Sequence, residues 1–130
     1  MILATGAILG FISVAFGAYA EHGLKTNIST EHFDMLMTAI RYNQLYAIII
    51  SGIGLILLND GKLANSIIIK ISGYLFIVGT LLFSFGIYTS ILIDIPQILR
   101  LAPIGGTSLM LGWICLIVLG ILTLQRNKKN

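Results

Sequence analysis

Charge is what this sequence has least of. Asp, Glu, Lys and Arg make up 10% of its 130 residues, against about 25% in a soluble domain. A chain so poor in charge cannot cover a water-facing surface, so the solvent it is built for is the bilayer. Cysteine is nearly absent too. Cys115 stands alone, which excludes an intrachain disulfide, and its place within an apolar run marks an inert packing thiol. No Cys-x-x-Cys pair, phosphate-binding loop or nucleophile elbow occurs anywhere in the chain. The net charge of +3 rests on only eight basic residues, three of them in the last five positions. That tail reads as a topology-setting flank, and no nucleic-acid surface is expected.

What the chain does have is long apolar runs, and its mean hydropathy is +0.98. Four of them, at about 2–22, 39–58, 67–93 and 104–124, come close to the roughly 20 residues that cross about 30 Å of hydrocarbon. They predict an all-α integral membrane protein, a single domain over residues 1–130 with four transmembrane helices in an antiparallel bundle. Ala18-Tyr19-Ala20 before Glu21 has the form of a signal-peptide cleavage site. The run before it is long and lacks a basic start, so a retained span is expected.

Punctuation supports these boundaries. His22-Gly23 suits the end of the first helix, with Gly23 as a left-handed cap. Asn59-Asp60-Gly61 is a turn signal, and Pro103 suits the first position of the fourth helix. Ser29 or Thr30 can cap a segment that carries Glu31 and Asp34 in its first turn. Phe33, Leu36, Met37 and Ile40 share one face of it, which makes an amphipathic interfacial segment before span two. This segment either lies along the outer interface, bending near Thr38, or runs straight into the span. Lys62, Lys70, Arg126, Lys128 and Lys129 fall on the side of the termini, against Lys25, Arg41 and Arg100 opposite. That excess predicts both termini in the cytoplasm.

Small residues recur at helical spacing. Gly6, Gly10, Ser13 and Gly17 mark the first helix, Ser72, Gly79 and Gly86 the third, and Gly105, Ser108, Gly112 and Cys115 the fourth. Lipid gives helices no hydrophobic reason to associate, so such stripes predict close backbone packing.

The polar residues gather at the opposite, outer end: Glu21, His22, Lys25, Glu31, His32, Asp34, Arg41, Asp94 and Arg100. Arg41 opens an otherwise apolar span and needs water, snorkelling or a partner. Glu21, Glu31 and Asp34 are the expected partners, with Tyr42 and Tyr46 as belt residues at the interface. His22 and His32 match no metal-site spacing, and no metal or cofactor is expected.

Several segments resemble a known family. Gly17-Ala18-Tyr19-Ala20-Glu21-His22-Gly23-Leu24 is similar to its GAFGAHGL motif, with one change and one shift. Thr38-Ala39-Ile40-Arg41-Tyr42-Asn43-Gln44-Leu45-Tyr46-Ala47 resembles TAxRYQxxHA. Leu82-Phe83-Ser84-Phe85-Gly86-Ile87-Tyr88 resembles LFSGSLY, and Ala102-Pro103-Ile104-Gly105-Gly106 with Gly112-Trp113 resembles TPIGG followed by GW. Together they resemble the YgdD/YwdK-like membrane proteins, a domain of unknown function found in bacteria and, as a transmembrane protein, in mitochondria. The resemblance implies four spans and a bacterial inner membrane, or alternatively a mitochondrial inner membrane. It assigns no chemistry. Tyr46 stands where the family often has histidine, which weakens any catalytic or metal-binding role there.

The matched residues fall mostly at the outer end and define a candidate polar site: Glu21, His22, Arg41, Tyr42, Asn43, Ser84, Tyr88, Gly105 and Gly106. The first expectation is a non-catalytic accessory or interaction protein of the membrane, with a membrane-protein partner or a second copy. The alternative is a small oligomeric transporter or channel for a solute or lipid, with its mouth at Glu21, His22 and Arg41. An enzyme or cofactor protein using His22 and His32 is the third.

Overall fold

The computed structural model describes residues 1–59 and 61–127. Asp60 of the expected turn, and Lys128 and Lys129 of the basic tail, lie outside the described residues. Helix α1 spans Ile2–Tyr19 and runs on as a π-helical turn, Ala20–Leu24. Helix α2 covers Thr30–Leu57. Helix α3, Ile67–Thr80, passes through a second π-helical turn at Leu81–Phe85 into α4, Gly86–Leu92. A 3-10 turn at Pro96–Arg100 leads into α5, Leu101–Asn127. The five helices form four continuous rods, each long and apolar enough to cross a membrane.

Local chemistry accounts for the start of α2. Ser29 caps α2, its Oγ accepting from the His32 N–H at 3.2 Å, and Glu31 follows where the helix dipole favours an acid. The amphipathic segment runs straight into span two, as the first two turns of one 28-residue helix.

Two expectations about punctuation fail. Gly23 is not a left-handed cap, since no described glycine has a positive φ. The first rod closes instead with the Lys25 N–H reaching back to the Ala20 carbonyl. Gly23 leaves room for the Tyr19 ring, which a Cβ would meet at 3.1 Å. Pro103 is not the first residue of its helix; α5 starts two residues earlier. A proline is tolerated there because first-turn N–H groups have no intrahelical partner anyway.

The rods pack as two close pairs. Between α1 and α2, a Cβ built on Gly54 would stand 2.5 Å from the Leu3 Cα, and one on Gly6 would stand 2.6 Å from the Ser51 backbone nitrogen. Gly10 faces Ala47 and Gly17 faces Ile40. The position numbers of each of these pairs add to 57, so one antiparallel register holds along the whole contact. Between α3 and α5, Gly105 abuts the Phe83 nitrogen and the Gly79 carbonyl. Ser72 donates to the Gly112 carbonyl at 3.0 Å, and Ser108 donates to the Leu75 carbonyl at 2.9 Å. Each of the three stripes thus supplies close contacts inside the molecule. Phe76, Ile50 and Ile69 fill the core where the pairs meet, and Leu36, Ile40, Ile87 and Tyr88 fill a second cluster toward the end opposite the termini.

Tyr46 is not a belt residue. It is buried, and its hydroxyl accepts from the Trp113 indole N–H at 3.1 Å, tying the second rod to the fourth.

The register makes glycine replacement strongly position-dependent. Gly54→Ala should lower stability by about 1–3 kcal/mol, the range for overpacking against neighbours that cannot yield. Gly52, two residues away, has nothing within 4 Å, so Gly52→Ala should be neutral or slightly stabilising. Unfolding titrations in mixed micelles check both; equal losses would contradict the register.

Candidate functional site

The nine candidate residues separate by helical face. Asn43 lies on the inward side of α2 with Ala39, Ile40, Ala47 and Ile50, all buried. Its amide Nδ2 donates to the Tyr88 hydroxyl of α4 at 3.4 Å. Ser84, in the second π-helical turn, donates to the Ala39 carbonyl of α2 at 2.9 Å. These three polar side chains form one buried group between the second and third rods. Aromatic rings cover it: Phe16 lies 4.4 Å from Tyr88, and Phe85 lies 5.3 Å away, centroid to centroid. The π-helical turn matters here, because its extra residue shifts the side-chain phase of the rod where Ser84 meets α2.

One atom of this group has no partner. The Asn43 Oδ1 is buried without a hydrogen bond, a state that normally costs about 1–3 kcal/mol.

Glu21, His22 and Arg41 join neither this group nor one another. Glu21 pairs with Lys25 at 2.9 Å, the one ion pair among the described residues. Lys25 also stands 5.4 Å from the Phe33 ring centroid. His22 is exposed. Glu31 and Asp34 line a shallow depression of about 560 Å³ with Met35, Thr38 and Ile87, apart from Arg41. The expected Arg41 pairing therefore fails, and for Glu21 the register explains why. Arg41 sits level with Phe16 of α1, and Glu21 is five residues further out, about 7.5 Å along the axis at 1.5 Å per residue.

Of the other candidates, Tyr42 is exposed on one edge and packs 4.8 Å from Phe83. Gly105 is a packing point against the third rod, whereas Gly106 has nothing within 4 Å. Among the described residues, no three His, Cys, Asp or Glu side chains converge. The buried group contains a hydroxyl, a phenol and an amide but no base beside them. It can exchange hydrogen bonds and bridge helices.

Two linked residues were missed as candidates. Tyr46 and Trp113 belong to segments that the family resemblance flags, but no spacing in the sequence joins α2 to α5. Gln44 stood outside the candidate site as well. Positions 41, 44, 45 and 48 share a helical face, and in the structure all four are exposed.

The chain is similar to known proteins over most of its length. A family model described as "Protein of unknown function (DUF423)" matches residues 16–106. A UPF0382 membrane protein of Haemophilus influenzae is 34% identical over 85% of this chain and 85% of its own length. The UPF0382 inner membrane protein YgdD of Escherichia coli is 29% identical over 96% of this chain and 92% of its own. YwdK of Bacillus subtilis is 26% identical over 89% and 92%. No solved structure matches the chain.

The buried group predicts a compensation. Tyr88→Phe should destabilise by about 1–2 kcal/mol, because it strands the Asn43 amide. The double variant Asn43→Leu/Tyr88→Phe should recover most of that loss. Additive losses in a double-mutant cycle would show that the two residues do not act as a pair.

Proposed function

The chain belongs to the DUF423 family, and we propose that it works as a non-catalytic interaction protein of the membrane, docking a partner helix on the exposed face of α2. Arg41 and Gln44 carry the reading. Both lie on a face shared with Leu45 and Ile48, both are exposed, and neither side chain is hydrogen-bonded or ion-paired among the described residues. Leu45 and Ile48 are apolar and exposed, as a lipid-facing surface would be.

An arginine on that surface costs several kcal/mol unless it snorkels or is paired. Arg41 is near enough to the outer end to snorkel. Gln44 lies three residues further along the span, about 4.5 Å, and its side chain is shorter and less able to snorkel. Polar side chains at such depth are usual as glue between neighbouring helices. The interior supports the same reading. Ser72, Ser84 and Ser108 each bind a carbonyl of an adjacent helix, so they hold the scaffold and line no path.

The setting in this reading is a bacterial inner membrane with both termini in the cytoplasm. It draws on the name of the Escherichia coli relative and on the basic excess at the terminal side.

Two experiments test these statements. A photoreactive residue at Leu45, activated in native membranes, should give a discrete protein adduct. Its yield should fall about tenfold in Arg41→Ala/Gln44→Ala, as expected where polar glue contributes about 1–2 kcal/mol. An adduct of twice the chain mass identifies the partner as a second copy; labelling of lipid alone would defeat the proposal. For orientation, a cysteine at Lys62 should react with impermeant maleimide only from the cytoplasmic side and one at Thr26 only from the outside. The reverse pattern would invert the topology.

A further inference from the structure

We infer that the cavity between the start of α3 and the end of α5 is a seat for one anionic phospholipid, whose phosphodiester is held by Lys62 and Arg126. This cavity of about 840 Å³ is half open, and it lies at the end of the bundle that carries both termini. Its size falls within the usual range of ligand pockets, about 300–1,000 Å³, enough for a headgroup and the first acyl carbons.

The wall is divided as a lipid is divided. Lys62 and Arg126 supply two cations at the rim, beside Ser66 and Gln125, and none of the described lining residues is acidic. Ser66, at the N-cap of α3, makes no capping hydrogen bond with its side chain. Deeper along the bundle, Ile68, Leu119 and Leu122 give an apolar floor. Such a gradient, cationic at the rim and apolar along the helices, complements a phosphate joined to hydrocarbon. Free phosphate would have no use for the floor, and an uncharged lipid none for the cations. Basic pockets between transmembrane helices at the membrane edge are a recurring way to hold anionic headgroups.

The proposal is independent of the α2 docking face, since it concerns the other end of the molecule and different residues.

The test is native mass spectrometry of the full chain in a mild detergent, titrated with phosphatidylglycerol and phosphatidylcholine in equal amounts. Each basic residue near an anionic lipid is worth roughly a fivefold preference, so the pair should favour the anionic lipid roughly twenty-five-fold. Lys62→Gln/Arg126→Gln should bring that ratio close to one, and Lys25→Gln, at the outer end, should leave it unchanged. Lys62→Gln alone lies in an exposed connection and should lose roughly fivefold, which keeps the test decisive if the double variant folds poorly. Equal retention of the two lipids by the unaltered protein would overturn the proposal. So would a preference untouched by either variant, or competition by inorganic phosphate as effective as by the lipid.

Discussion

Hydrocarbon does not push helices together, and that fact governs this molecule more than any residue in it. In water a helix pair is stabilised by hiding apolar surface; in lipid the same surface is already at ease. What remains is close contact, in which many weak dispersion terms add up only when the backbones can approach. Gly6 against Ser51, Gly54 against Leu3 and Gly105 against Phe83 and Gly79 are such approaches. They resolve the four rods into two pairs, α1 with α2 and α3 with α5. The larger side chains of the core then fill the seam between the pairs.

The same solvent decides how polar groups are used. A serine in the hydrocarbon must find a partner, and a carbonyl on the next helix serves when glycine has brought that helix near. Ser72 finds Gly112 and Ser108 finds Leu75 on this principle. Packing and hydrogen bonding are therefore one device at these positions. Polar residues outside it stand out by contrast. The Asn43 Oδ1 is buried without a partner, and Arg41 and Gln44 face outward from a span. The fold alone offers no explanation for these residues, and the proposed docking face begins from the two exposed ones, Arg41 and Gln44.

Much of this was legible in the sequence. Hydropathy and run length give the four rods, and the spacing of small residues gives the faces on which they pair. The pairing register was out of reach, because a stripe on α1 says which side is narrow and not which residue of α2 will meet it. That gap explains the failed Arg41 pairing: without the register, Glu21 looks adjacent when it lies more than a turn too far out. Tyr46 was misplaced for a related reason. A tyrosine near the start of a span fits the interfacial belt by position, and only the approach of Trp113 from α5 turns its hydroxyl inward. The π-helical turns left no mark either. Each adds one residue to a turn within an uninterrupted apolar pattern, and the added residue at Leu81–Phe85 coincides with the point where Ser84 reaches α2.

The central claim is that backbone approach through glycine fixes the α1–α2 register. Solid-state NMR of the uniformly 13C-labelled protein in lipid bilayers tests it most directly. The account predicts strong inter-helical cross-peaks between Leu3 and Gly54 and between Gly6 and Ser51. A spectrum that retains every intrahelical peak but lacks both of these, or shows pairs displaced by one helical turn, would contradict it.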